Sequence, residues 1–197
     1  MIEIIRNRVF VAYVMASGCA MGGMAAFLNS SPGLLIGTFG LPPGTFGLLF
    51  ACLPFGFLSG SIFVGRYAER LGSDRFMMIG TSALAIGGLC MLGFALFGLP
   101  DPRMLVLPMM PYLFGFACII PQCSSGALTP FGRAAGTASS LQGFVQSMFG
   151  AITSALLAIF ANGTLYPMAI AISAAGIASV LSYVFLIRRM HGSAPAR

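Results

Sequence analysis

The sequence predicts an all-α membrane protein with six transmembrane helices, folded as one domain over residues 1–197. Three observations predict this class. Hydrophobic residues make up 58% of the chain and charged residues 7%, whereas about a quarter of the residues in an ordinary soluble domain are charged. No charged side chain occurs from Val9 to Gly65. Nine of the ten arginines fall in alternate gaps between six apolar stretches, as the positive-inside rule describes for multispan proteins.

Each apolar stretch is long enough to cross a hydrocarbon core of about 30 Å as a helix. The stretches cover residues 9–28, 44–65, 76–98, 104–128, 135–160 and 164–187. The polar cluster at 29–33, Asn-Ser-Ser-Pro-Gly, predicts the turn that ends the first helix. Pro42, Pro43 and Gly44 mark the start of the second. The connections between spans are short, so we expect one compact bundle.

The arginines also predict the orientation of the bundle. With the N-terminus in the cytoplasm, one arginine, Arg103, lies outside. The other nine lie inside: Arg6, Arg8, Arg66, Arg70, Arg75, Arg133, Arg188, Arg189 and Arg197. We therefore expect a multi-pass protein of the inner (plasma) membrane with both termini in the cytoplasm. The net charge of +6 then reflects this topology and contact with the lipid bilayer, and no nucleic-acid partner is expected.

The connection between the second and third spans carries the sharpest pattern, which we call the arginine motif (residues 65–75). Gly65 allows close helix approach and Gly72 lets the chain reverse. Glu69 can accept hydrogen bonds from neighbouring arginines such as Arg70 and Arg75. Pairs of this kind can form in one conformation and break in another, and the family resemblance of these residues implies a cytoplasmic gate. A solvated, positively charged loop is the alternative.

The motif resembles a signature of a known family. Gly65, Ala68, Glu69, Arg70, Gly72 and Arg75 match the loop signature of the major facilitator superfamily, and Ser73 and Asp74 stand where that family usually has basic residues. The stretches 39–51 and 135–146, with 29–32, resemble the C-terminal half of Bcr/CflA-type (bicyclomycin-resistance-like) drug:proton antiporters. The resemblance covers almost the whole chain and implies half of a twelve-helix fold. In this family, an arginine in the fourth span and a Gly-Pro pair mark N-terminal halves. This chain has no arginine in its fourth span and no Gly-Pro pair, so the resemblance is to a C-terminal half.

A polar stripe on the fifth span is the best candidate for a substrate-facing surface. Ser139, Gln142, Gln146, Phe149 and Thr153 recur at three- and four-residue steps along one helical face. Amides in hydrocarbon are costly, so this face should point to other helices or to water. The family places the matching helix beside the central cavity, although interhelical hydrogen bonding is an alternative. Weaker candidates for the same cavity are Tyr13, Ser17, Tyr112 and Gln122.

The resemblance implies efflux of small apolar or cationic drug-like molecules. No Asp, Glu, Lys, Arg or His lies inside a predicted span, so a proton-coupled step needs a titratable group from elsewhere. We expect that group in an N-terminal six-helix half, which the family implies as a partner; a second copy of the chain is the other possibility. The alternative function is a truncated non-transporting remnant or an accessory membrane protein.

An intramembrane enzyme is not expected. Residues 123–126, Cys-Ser-Ser-Gly, loosely resemble the serine site of rhomboid-type proteases. The chain has one histidine, His191, beyond the last span, whereas a serine nucleophile needs a base within hydrogen-bond reach. The cysteines lack paired metal-ligand spacing. We therefore expect no catalytic residue, no metal site and no cofactor.

Overall fold

The computed structural model describes residues 4, 6–98, 101–160 and 162–187. Six helices in this described part are long and apolar enough to cross a membrane. They are α1 (Arg8–Thr38), α2 (Pro43–Ala68), α3 (Arg70–Leu96), α4 (Arg103–Gly132), α5 (Ala135–Ile159) and α6 (Tyr166–Phe185). The predicted class, all-α with six membrane-spanning helices, is confirmed. The predicted cytoplasmic residues Arg188, Arg189, Arg197 and His191 lie outside the described residues.

The first helix is longer than predicted. Asn7 caps its start, because the Oδ1 atom accepts hydrogen bonds from the backbone N–H groups of Val9 and Phe10. The α-helix runs through Pro32 and continues as a π-helix over Gly33–Thr38. The predicted turn at residues 29–33 is therefore wrong. The chain leaves the helix after Thr38, ahead of Gly40, which has a φ of 65°.

Side-chain hydrogen bonds hold the last part of α1 to other segments. The Asn29 amide donates to Ser154 Oγ of α5 at 2.6 Å, and Thr38 Oγ1 donates to the Gly163 carbonyl oxygen at 3.2 Å. Pro32 has no backbone N–H to donate within the helix. The wider π-helical turn that follows it accommodates the missing hydrogen bond. Tertiary contacts thus override the local preference of these residues for a turn.

The helices α2 and α3 are antiparallel neighbours that both pack on α4. Gly72 lies where the chain reverses, with φ 73° and ψ 160°, a conformation that favours glycine. Four other glycines bring the backbones together: Gly56 faces Met110, Gly60 faces Phe114, Gly80 faces Ile119 and Gly87 faces Pro108. Along α2, the contacts move toward the C-terminal end of α4, and along α3 they move back toward its N-terminal end. The predicted reversal at Gly72 is confirmed.

The core of the bundle lies among α1, α3, α4 and α6. Helix α1 packs against α4, α5 and α6, and α3 packs against α4 and α6. Between 44% and 67% of the most apolar stretch of each of these four helices is buried, against 17% in α2 and in α5. Two helices, α2 on α4 and α5 on α1, therefore leave most of their surface uncovered.

The described arginines collect at one end of the bundle. The rings of Phe10 and Phe131 lie 5.7 Å apart, which places the start of α1 beside the turn between α4 and α5. The arginine motif reaches the same part of α4, because Ser73 contacts Gln122. We call this end the arginine end. Arg103, at the start of α4, belongs to the opposite end.

Candidate functional site

The polar stripe of α5 faces other helices. Gln142 is 4% exposed, and its Nε2 atom donates to Ser124 Oγ of α4 at 3.3 Å. A buried amide without a partner would cost about 1–3 kcal/mol, so this bond stabilises the approach of α5 to α4. Gln142 is an interhelical contact in this conformation.

Two further members of the stripe pack on glycines of α1. A Cβ atom added at Gly18 would lie 2.9 Å from the Phe149 ring, and one added at Gly22 would lie 2.9 Å from Thr153 Oγ1. The small residues thus let α5 lie close to α1. Ser139 is exposed and Gln146 is half-buried, so these two residues keep surface that a ligand could reach.

The structure places three of the weaker candidates inside the bundle. Tyr112 is fully buried and its hydroxyl donates to the carbonyl oxygen of Ala20 at 2.9 Å, linking α4 to α1. Ser17 is buried and donates to the Val14 carbonyl oxygen at 3.2 Å. Tyr13 is buried with its ring against Gly126. Tyr13, Ser17 and Tyr112 are packing residues in this conformation, and a cavity-lining role for them stays a prediction.

Gln122 lies at the arginine motif and not with Gln142. Its Oε1 atom accepts a hydrogen bond from Ser73 Oγ at 2.7 Å. The next residue, Asp74, accepts from the Tyr183 hydroxyl of α6, at 3.0 Å through Oδ1 and at 3.3 Å through its carbonyl oxygen. The two positions that depart from the family signature therefore tie the motif to α4 and α6.

These two contacts were missed by sequence reasoning. The sequence does show that Ser73 and Asp74 differ from the basic residues usual in the family signature. Nothing within the motif, however, identifies Gln122 or Tyr183 as their hydrogen-bond partners. The partners lie 49 and 109 residues further along the chain. Only the packing of α3 between α4 and α6 brings them together.

The arginines of the motif point away from these tethers. Arg66, Arg70 and Arg75 are exposed, and no side chain that the structure describes forms an ion pair with them. Glu69, the predicted acidic member of the gate, has a side chain outside the described part. The motif therefore combines a turn bonded to α4 and α6 with three exposed cations, a surface suited to an anionic partner or to lipid headgroups.

The buried polar side chains in the described part of the chain are hydroxyls and one amide, and none of them is charged. Groups of three or more His, Cys, Asp or Glu that could hold a metal are absent from the described residues. All five cysteines are free thiols. The interior offers hydroxyls, amides, sulfur atoms and aromatic rings, which can bind uncharged surfaces and fix helix contacts.

Comparison with known proteins shows what this bundle is related to. The chain is 28% identical to the bicyclomycin resistance protein homolog of Haemophilus influenzae, over 93% of the chain and 46% of that protein. It is 29% identical to multidrug resistance protein D of Escherichia coli, over 93% and 46%. This chain is a homologue of drug-resistance transporters of the major facilitator superfamily.

A third relative supports the same relationship. The chloramphenicol resistance protein of Pseudomonas aeruginosa is 24% identical, over 93% of this chain and 44% of its own length. No protein-family model matches the chain. The chain thus spans less than half of the length of these relatives. The predicted resemblance to drug-resistance transporters is confirmed, and membrane localisation agrees with both the helices and the relatives.

Proposed function

We propose that the chain is the C-terminal six-helix half of a drug-efflux transporter and supplies one wall of its substrate pathway. The observation that carries the proposal is the homology, which covers nearly all of this chain and less than half of each relative. Transporters built from two repeats bind substrate between them and alternate by rocking one against the other. One half offers a wall, and a second half must complete the path.

The uncovered surfaces of α2 and α5 support this proposal. Both helices are far less buried than the other four. On α5, the exposed face includes Gly136, Ser140, Gly143 and Ser147. Lipid offers no hydrogen-bond partner for hydroxyl groups, and small residues favour close helix approach. We infer that an N-terminal half packs here, with a second copy of the chain as the rival partner.

Proton coupling would come from the partner half. No charged side chain lies within the predicted spans, and a coupling site needs a titratable group inside the membrane. In this scheme Ser139 and Gln146 reach substrate, and the exposed arginines of the motif meet the partner at the cytoplasmic side. The chain itself performs no covalent chemistry and is not an enzyme.

The orientation belongs to the same proposal. Arg6, Arg8, the arginine motif and the turn holding Arg133 share one end of the bundle, and Arg103 lies at the other. The positive-inside rule assigns the arginine end to the cytoplasm. Both termini would then be cytoplasmic, in the plasma membrane.

The test is efflux from cells that lack other drug pumps. The chain would be expressed alone and with the N-terminal half of the Haemophilus relative, and efflux of ethidium would be followed before and after the proton gradient is collapsed. Survival on bicyclomycin and chloramphenicol, the compounds in the relatives' names, would be measured in parallel. We expect gradient-dependent efflux with the pair only.

The competing function is a non-transporting remnant or an accessory membrane protein. One half by itself would not form a complete substrate path between two repeats. Absence of efflux and of resistance with the co-expressed half, despite membrane insertion of both, would support this reading. Efflux by the chain alone would instead indicate a working homo-oligomer.

A further inference from the structure

Two adjoining clefts open at the end of the bundle opposite the arginine motif. The first has a volume of about 360 Å³ and lies between the end of α1, the end of α5 and the start of α6. The second, of about 430 Å³, lies between α5 and α6. Leu157, Asn162 and Pro167 line both clefts, so the two form one continuous groove. Of the polar stripe of α5, Thr153 lines the second cleft, and the other four members line neither cleft.

The first cleft carries polar side chains and no charged one. Its polar side chains are Asn29, Ser30, Thr38, Ser154, Asn162 and Thr164. A charged ligand here would lose hydration without gaining a counter-ion from the lining, which is unfavourable near an apolar bundle. The lining therefore selects against ions of either sign.

Hydrogen bonds within this cleft leave an acceptor on Asn29 and a donor on Asn162 unused. Ser154 Oγ donates to the Gly150 carbonyl oxygen at 2.7 Å, so it must accept from the Asn29 amide nitrogen. Asn29 Oδ1 remains as an acceptor without a partner among the described residues. Asn162 Oδ1 accepts from the backbone N–H of Thr164 at 3.1 Å and from its hydroxyl at 2.6 Å.

The Asn162 amide nitrogen is thereby left as a donor. It has no protein partner within the part of the chain that the structure describes. Asn29 and Asn162 line the same cleft, so a ligand that carries both a hydrogen-bond donor and an acceptor, such as a secondary amide, matches the unused Asn29 Oδ1 and Asn162 Nδ2. An ion-pairing ligand gains nothing comparable.

The second cleft is apolar. Leu156, Phe160, Tyr166 and Ile170 line it and are between 43% and 64% exposed. An aromatic or aliphatic body placed here would pack against this surface through dispersion contacts. The groove thus joins a hydrogen-bonding half to an apolar half.

We propose that this groove is a binding site for uncharged amphipathic small molecules that carry an amide-like group on an aromatic body. It is separate from the substrate wall proposed above and does not depend on transport. A phospholipid fits less well, because its phosphate would lie in a cleft without a cationic side chain in its lining. Because its lining has no charged side chain, the groove favours neutral ligands over charged ones.

The test measures binding to the purified chain in phosphatidylcholine nanodiscs. Cys52 and Cys90, the two exposed cysteines, are replaced by Ser. I159C, an exposed position that lines neither cleft but lies between lining residues of both, is labelled with bimane. The probe is 4-nitroacetanilide, a neutral nitroaromatic amide that quenches bimane on contact. 4-Nitrobenzylammonium and 4-nitrobenzoate are the cationic and anionic counterparts of similar size. We expect saturable quenching by the neutral probe alone.

Two variants of Asn29 sharpen the result. Asn29→Leu removes the free acceptor and should weaken binding by about fivefold to tenfold, the loss of one neutral hydrogen bond. Asn29→Asp places an anion in the cleft and should allow 4-nitrobenzylammonium to bind. Ser82→Leu, an exposed position on α3 outside both clefts, is the matched control and should leave binding unchanged.

Three outcomes would overturn the proposal. Equal, non-saturating quenching by all three probes would mean partition into the bilayer. Unchanged affinity in Asn29→Leu would remove the polar cleft from the site. Loss of quenching when phosphatidylglycerol replaces part of the phosphatidylcholine would assign the groove to lipid. None of these results depends on efflux, so failure here and failure of the proposed function are distinguishable.

Discussion

Ser73 donates a hydrogen bond to Gln122 at 2.7 Å and so ties the arginine motif to α4. Asp74 receives a second tether from Tyr183 of α6. Both bonds lie within this chain, so a rigid-body movement of the whole bundle would preserve them. We infer that they hold the turn in place while the exposed Arg66, Arg70 and Arg75 are left for contacts outside the bundle.

The first prediction concerns this tether. Ser73→Ala and Gln122→Ala should each lower the free energy of unfolding, and a double-mutant cycle should give a coupling of about 0.5–1 kcal/mol, because the bond is neutral and exposed. Unfolding can be followed by the reaction of the buried thiols of Cys19, Cys118 and Cys123 with a maleimide dye. Strictly additive effects would show that the bond contributes nothing.

The second prediction concerns the contact between α1 and α4. A Cβ atom added at Gly23 would meet the Tyr112 hydroxyl, so Gly23→Ala should destabilise the bundle by about 1–3 kcal/mol through overpacking. Tyr112→Phe should restore part of that loss, because it removes the clashing oxygen. Thermal unfolding of the two single variants and of the double variant measures this.

Gly143→Ala is the matched control for Gly23→Ala. Gly143 is also in a helix, but nothing lies within 4 Å of an added Cβ atom there. The control should be neutral or slightly stabilising, since alanine favours helix over glycine by about 1 kcal/mol. Equal melting temperatures for the two alanine variants would contradict the close packing at Gly23.

The third prediction separates the two glutamines of α5. Gln146→Leu should change which drugs the co-expressed pair exports and leave stability unchanged, because Gln146 is half-buried without a hydrogen-bond partner among the described residues. Gln142→Leu should lower stability as well, by about 1 kcal/mol, since Ser124 loses its partner. Resistance profiles identical to the parent in both variants would count against a substrate role for this face.

The fourth prediction addresses the gate. In the co-expressed pair, Glu69→Ala and Arg70→Ala should slow efflux more than they weaken drug binding, because a gate changes the rate of conformational exchange. Arg103→Ala, at the opposite end of the bundle, serves as the control and should cycle normally. Weakened binding with an unchanged cycling rate would refute the gate.

The fifth prediction tests the orientation. In a chain with Cys52→Ser and Cys90→Ser, R103C should react in whole cells with a membrane-impermeant thiol reagent, whereas R75C should react only after permeabilisation. The Arg103 position is accessible for this purpose, because it is exposed. The reverse labelling pattern would show that the arginine end faces outward.

Hydropathy and charge by themselves determined the class, the number of helices and the reversal at Gly72. These features depend on composition within one span or one turn, and lipid admits few backbone structures other than helices. The same local signals misplaced the end of α1, because the fate of residues 29–33 depended on Ser154 and Gly163, far along the chain.

Only the tertiary structure decided the partner of each polar side chain. Gln122 and Gln142 look alike as amides in apolar helices, yet one holds the arginine motif and the other holds α5 against α4. Helical periodicity identifies residues that share a face, but it does not specify which helix that face meets. That choice depends on the close approach of small residues such as Gly18 and Gly22 across helices distant in sequence.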